Sequence, residues 1–253
     1  MLPVSPRNPP VSRLILPIPA LTEKRLRSFE QRHLKVPKQA RYAIMGSLEA
    51  DLREVWFVCH GHGQLASRFL SRFLPLEQPD RLFIAPEALS RYYLSAPTAG
   101  PHPPGTPVGA SWMTAEDREF EMEDYVRYLD LLHDEVFSVV DRSKIDLWVL
   151  GFSQGVATAA RWVVRGQVEP DHVVLWSGLL PPELDAAAAS RLSQRSPLTI
   201  VVGSSDDFAR PEIVAAQEAR LNDLEIPYRV LRFDGGHEVT PEALSRLTQP
   251  TKV

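Results

Sequence analysis

Two rhythms of apolar residues alternate along this chain. Short unbroken apolar runs occur at Val55-Trp56-Phe57-Val58-Cys59, Leu82-Phe83-Ile84-Ala85-Pro86, Leu147-Trp148-Val149-Leu150, Val173-Val174-Leu175-Trp176 and Leu198-Thr199-Ile200-Val201-Val202. Such runs are expected of strands buried on both faces. Tyr42-Ala43-Ile44-Met45 and Tyr228-Arg229-Val230-Leu231-Arg232-Phe233 read as two further strands. Between them the apolar positions recur at helical spacing. Phe69, Leu70, Phe73 and Leu74 form one such group; Phe120, Met122, Tyr125, Val126, Leu129, Leu132, Val136 and Phe137 form another. Thr114 is the expected cap of that second helix, with Asp117 completing a weak capping box. Helices are also expected at 156–164, near 183–193, near 211–224 and near 241–247.

Strands alternating with helices predict an α/β architecture, a mostly parallel sheet of about seven strands with helices on both faces. Residues 1–20 are rich in proline and aperiodic, and 22–33 could close into a short helix behind Thr22. Residues 1–35 are therefore expected to be an N-terminal arm and 36–253 a single domain. Residues 87–114 hold prolines, glycines and aromatics without a period. A long irregular loop of this kind inside a compact domain suggests a functional segment near the active site.

Composition narrows the function classes. The chain has 253 residues, 44% hydrophobic and 24% charged, with a formal net charge of −4. That charge provides no basic footprint for nucleic acid, and no apolar run approaches the length of a membrane span. The stretch 14–21 is apolar but short and carries two prolines, unlike the core of a signal peptide. Cys59 is the only cysteine and has no intramolecular partner, so a reducing, cytoplasmic setting is expected.

Candidate chemistry centres on Gly151-Phe152-Ser153-Gln154-Gly155. A strand precedes this pentapeptide and a helix follows it, the context a nucleophile elbow requires. A serine hydroxyl is a weak nucleophile until a base, itself held by a third group, takes its proton. In a parallel sheet such partners belong just after later strands. His237, in Phe233-Asp234-Gly235-Gly236-His237, is the candidate base. Asp206, in Gly203-Ser204-Ser205-Asp206-Asp207, is the candidate acid, favoured by the Gly-x-x-Asp spacing usual in hydrolase acid loops; Asp207 is the alternative. An oxyanion hole needs two N–H donors. The backbone amide of Gln154 is one, and His60-Gly61-His62-Gly63 offers the other through His62, or alternatively Gly63. The pair His60 and His62 lacks an acidic or cysteine partner at zinc-like spacing, so neither a metal nor another cofactor is expected. Tyr92, Tyr93, Leu94, Trp112, Met113 and Phe208 are candidates to line an apolar substrate pocket, and Cys59 reads as a small core residue.

His60-Gly61-His62-Gly63, Gly151 to Gly155, the 203–207 loop and Gly235-Gly236-His237 together resemble the phospholipase/carboxylesterase branch of the α/β-hydrolases, which includes the acyl-protein thioesterases. Gly109-Ala110-Ser111-Trp112 resembles the branch's tryptophan-bearing segment near the acyl pocket. The resemblance spans roughly residues 40–247. It implies an α/β-hydrolase fold and a serine hydrolase that cleaves carboxylic esters or thioesters through an acyl-enzyme. The substrate expected is a small or lipid-like ester. The N-terminal arm and the length of 87–108 depart from the branch and bear on the substrate rather than the chemistry. A peptidase or amidase on the same scaffold, or a non-catalytic binding protein, are the alternatives.

Overall fold

A computed structural model describes residues 30–96 and 100–249. The chain divides into two compact units, Met1–Gln39 and Ala40–Val253. In the first, the described residues 30–39 carry neither helix nor strand. The expected 1–20 arm and most of the expected 22–33 helix lie outside the described residues, and residues 30–33 are not helical.

The second unit contains a seven-stranded sheet. Its strands are β1 (Tyr42–Met45), β2 (Glu54–Cys59), β3 (Arg81–Pro86), β6 (Asp146–Phe152), β7 (His172–Trp176), β8 (Leu198–Gly203) and β9 (Tyr228–Phe233). They lie side by side in the order β1-β3-β2-β6-β7-β8-β9. β1 pairs antiparallel with β3, and the pairs between β3 and β9 are parallel. This is the α/β layout that the apolar runs predict.

Side chains one residue apart along a strand point to opposite faces, and two cores result. Val55, Phe57, Cys59, Leu147 and Val149 join one, while Trp56, Val58, Trp148, Leu150 and Phe152 join the other. Over the first face lie α2 (Arg118–Phe137), α3 (Gln154–Arg165), α4 (Ala186–Ser190) and α5 (Pro211–Asp223), through residues such as Leu129, Trp162, Ala189 and Leu221. The second is covered by α1 (Ala66–Leu70), the 3₁₀ turn Ser71–Leu76 and α6 (Pro241–Leu247), through Phe69, Phe73 and Leu244. Trp56 and Trp148 stack at 4.2 Å within this second core. Among the described residues no helix is long and apolar enough to cross a membrane.

Two local expectations change. Residues 87–114 are not irregular throughout: β4 (Ser90–Tyr93) and β5 (Val108–Ser111) form an antiparallel pair. Helix α2 begins at Arg118, not behind Thr114. Asp117 sits at φ 49°, and the Thr114 N–H donates to Glu121 Oε2 at 2.5 Å, leaving Thr114 outside the helix.

Candidate active site

β6 ends against Ser153, which occupies φ 54°, ψ −119°. This backbone region is costly for a residue with a side chain, about 1–3 kcal/mol, and persists only where surrounding structure enforces it. Here α3 leaves the turn pressed against the sheet. A methyl on Gly151 would overlap the Gly155 carbonyl, and one on Gly155 would overlap the carbonyl of Cys59. The two glycines thus let the turn close tightly enough to lift the Ser153 hydroxyl off the sheet.

The carboxyl ends of β8 and β9 are laced together. Ser204 N–H donates to the Phe233 carbonyl and Ser205 N–H to that of Gly235, each at 2.9 Å. Gly203 must be glycine at this seam, because a methyl there would run into the carbonyls of Gly235 and Gly236. Trp176, the last residue of β7, donates its indole N–H to the Glu238 carbonyl at 2.9 Å. These bonds bring Asp206 and His237 beside Ser153.

The three form a continuous chain. His237 Nδ1 lies 3.0 Å from both carboxylate oxygens of Asp206, and His237 Nε2 lies 2.9 Å from Ser153 Oγ. An ionised carboxylate only accepts, so Nδ1 carries the proton and Nε2 is free to accept from the serine hydroxyl. The imidazole packs against Phe152 and Phe208, with ring centroids 4.9 and 4.6 Å away. The Asp206 side chain is fully buried. Burial pushes its carboxyl up, but the neighbouring Ser177 hydroxyl, His237 and the Phe208 N–H outweigh that and hold it below the usual carboxylate range. Asp206 Oδ1 accepts from the N–H groups of Phe208 and Ala209 at 2.9 and 3.2 Å. Asp207 is exposed, and Asp234 instead accepts from the Ser204 hydroxyl at 3.1 Å.

The loop after β2 approaches the same turn. A methyl on Gly61 would come 3.1 Å from Ser153 Cβ. The Gly63 N–H is committed to the Ala110 carbonyl at 2.8 Å, and the Gly61 N–H to Gln64 Oε1 at 2.8 Å. Of the two amides weighed in this loop, that of Gly63 is therefore committed within the protein. The Gln154 amide opens α3, where helical geometry leaves N–H groups without an intrahelical acceptor. Its side chain has a second task that the sequence did not reveal. Gln154 Oε1 accepts from the Trp112 N–H at 3.1 Å and Nε2 donates to the Met113 carbonyl at 2.9 Å, tying the elbow to the end of β5.

His60 is fully buried with both ring nitrogens occupied. Nδ1 donates to the Gly61 carbonyl at 2.8 Å, and Nε2 accepts from the Ala88 N–H at 3.1 Å. Burial also pushes its pKa down, so the neutral ring serves as a structural pin. Cys59 is buried and its thiol is pushed up to about 12, which removes it as a nucleophile.

The six expected pocket residues separate. Phe208, 71% exposed, lies over His237. Tyr92 Oη is hydrogen-bonded to His62 Nε2 at 2.6 Å. Tyr93 stacks on His102 at 3.7 Å. Trp112 is buried, donating its indole N–H to the His60 carbonyl at 2.8 Å, and Met113 Sδ contacts Arg161. Leu94, the sixth, is about half exposed, as is Leu179, which sequence reasoning missed. Leu94 lies against Gly63, and Leu179 follows Gly178, where a methyl would press on the Ser153 carbonyl.

No family model and no curated protein sequence matches the chain. Solved structures do. Acyl-protein thioesterase 2 of Zea mays superposes with a TM-score of 0.60 at 20% identity, over 83% of this chain and 96% of that one. Esterase PE8 gives 0.55 at 21% identity over 83% and 97%. A phospholipase/carboxylesterase from Dyadobacter fermentans gives 0.55 at 14% over 84% and 96%. The protein has the α/β-hydrolase fold, and its structural neighbours include esterases, a thioesterase and a protein described as of unknown function.

Proposed function

We propose that this chain is a serine hydrolase of carboxylic esters or thioesters. The observation that carries the reading is the unbroken chain from the Asp206 carboxylate through His237 to Ser153 Oγ, with the imidazole in the tautomer the reaction needs. Ser153 Oγ attacks the acyl carbon as His237 Nε2 takes its proton, and Asp206 stabilises the imidazolium formed. The carbonyl oxygen gains negative charge between the amides of Gln154 and His62. Collapse expels the alcohol or thiol, which receives the proton from His237. Water, deprotonated by the same nitrogen, then attacks the acyl-enzyme and releases the acid and free Ser153.

The esterase and thioesterase neighbours support the acyl-transfer class. Support for an apolar acyl group comes from three exposed apolar residues: Phe208 against His237, Leu94 against Gly63, and Leu179 next in sequence to Gly178. We assign them the acyl surface, with Tyr92, and assign Trp112 to support of the loop after β2. Matched p-nitrophenyl esters and p-nitroanilides test the reading. Esters should be cleaved by wild type and not by Ser153→Ala, and anilides much more slowly. Preferential anilide cleavage would point to an amidase, and an inert wild type to a binding protein.

A further inference from the structure

Ser177 is a buried serine directly after β7, at φ 51°. Its backbone is pinned, the N–H donating to the Val201 carbonyl at 2.8 Å on the neighbouring strand β8. The following residue, Gly178, fits under the Ser153 carbonyl only because it has no side chain. The turn 177–178 is therefore wedged between the nucleophile's backbone and the strand that leads to Asp206.

The Ser177 hydroxyl is shielded from solvent and, among the described residues, falls short of a fully formed hydrogen bond, although it lies beside the Asp206 carboxylate. A buried hydroxyl left unpaired is unfavourable, and its proton is free to rotate toward an acceptor. The carboxylate has room for it. Asp206 Oδ1 already accepts from His237, Phe208 and Ala209, whereas among the described residues Oδ2 accepts from His237 alone. A carboxylate oxygen can take two donors.

We infer that Ser177 is a positioning residue of the reaction, its hydroxyl donating to Asp206 Oδ2 so that the carboxylate stays ionised and squared to the His237 ring. This rests on the hydrolase reading above. The left-handed backbone at 177 keeps the hydroxyl inside the site, where the charge it serves is fixed. His237 is faced by that carboxylate and by the rings of Phe152 and Phe208.

The test compares kcat/KM against pH for wild type, Ser177→Ala and Ser177→Gly on a short-chain p-nitrophenyl ester. Glycine relieves the left-handed backbone while still removing the hydroxyl, so it separates the two effects. Both variants should lose roughly tenfold in kcat with little change in KM, the size of one lost hydrogen bond to a charged group. In both, the acidic limb should move to higher pH, because a carboxylate with one donor fewer attracts the imidazolium proton more strongly. Wild-type kcat and an unmoved limb in both variants would overturn the inference. So would recovery in Ser177→Gly alone, which would assign the effect to backbone strain. A wild type that neither turns over esters nor is labelled at Ser153 by a fluorophosphonate would instead remove the hydrolase reading.

Discussion

The two ends of the sheet are built on different principles. At the carboxyl ends of the strands, Ser153 and Ser177 hold left-handed backbone and glycines at 151, 155, 178 and 203 allow contacts that no side chain could survive. At the amino ends, charges are paired instead. Arg81 bonds Glu54 at 2.8 Å and the Leu76 carbonyl at 2.7 Å. Asp171 takes Arg142 and Arg195, each at 2.9 Å, together with the Leu147 N–H at 2.8 Å. A cavity of about 630 Å³ opens at this amino end, lined by residues that include Arg142, Lys144, Asp146, Asp171 and Arg195. Those charges have partners within the protein. The strained end, not the roomy one, holds the aligned Ser–His–Asp chain, and on the reading proposed above preorganisation rather than volume locates the reaction centre.

The sharpest way to break this contrast is to remove the base. His237→Ala should lower kcat by roughly 10⁴–10⁶-fold, and adding Ser153→Ala should cost little more, since the two act as one unit. Steady-state kinetics on the double-mutant set decides it; additive losses would mean that the residues do not share a mechanism. Next, Asp206→Asn should cost about 10⁴-fold by favouring the wrong imidazole tautomer. Asp207→Asn, in an exposed residue, should cost less than about threefold on the scale of ordinary surface changes.

Stability should divide the ends in the opposite sense. Asp171→Ala leaves two guanidinium groups and the Leu147 N–H without their shared acceptor, a loss of about 1–3 kcal/mol. Thermal melts should register it as a fall of several degrees, with kcat/KM unchanged; a large activity loss would mean the ends are coupled. The smallest effect expected is on acid stability. Burial raises the Asp146 carboxyl, but His172, with Trp148 and Arg142, outweighs that and lowers it overall. A depressed folded-state pKa gives stability that is present above the unfolded value and lost as pH falls through the folded one. Acid unfolding of Asp146→Asn should therefore be less steep below about pH 4 than that of wild type.

Legibility in the sequence follows the same division. Strands β2, β3, β6, β7 and β8 were legible because they are buried on both faces and so read as apolar runs, and the candidates Ser153, Asp206 and His237 stood out because each follows a strand. The β4–β5 pair escaped notice: Ser90-Arg91-Tyr92-Tyr93 and Val108-Gly109-Ala110-Ser111 are short, weakly patterned and separated by a proline-rich stretch. Trp112 read as a pocket residue because its aromatic character is visible, while the bond from its indole to the His60 carbonyl is a tertiary fact. Ser177 carries no local signal beyond a serine and glycine at a strand end; only the neighbouring strands reveal its surroundings.

Covalent labelling tests the assignment of Ser153 as the nucleophile most directly. Wild-type protein treated with a fluorophosphonate should gain one adduct by intact mass, and peptide mapping should place it on Ser153. Labelling should disappear in folded Ser153→Ala and slow sharply in His237→Ala. An adduct on another serine, or a folded wild type that stays unmodified at neutral pH, would contradict the assignment of Ser153 as the activated nucleophile.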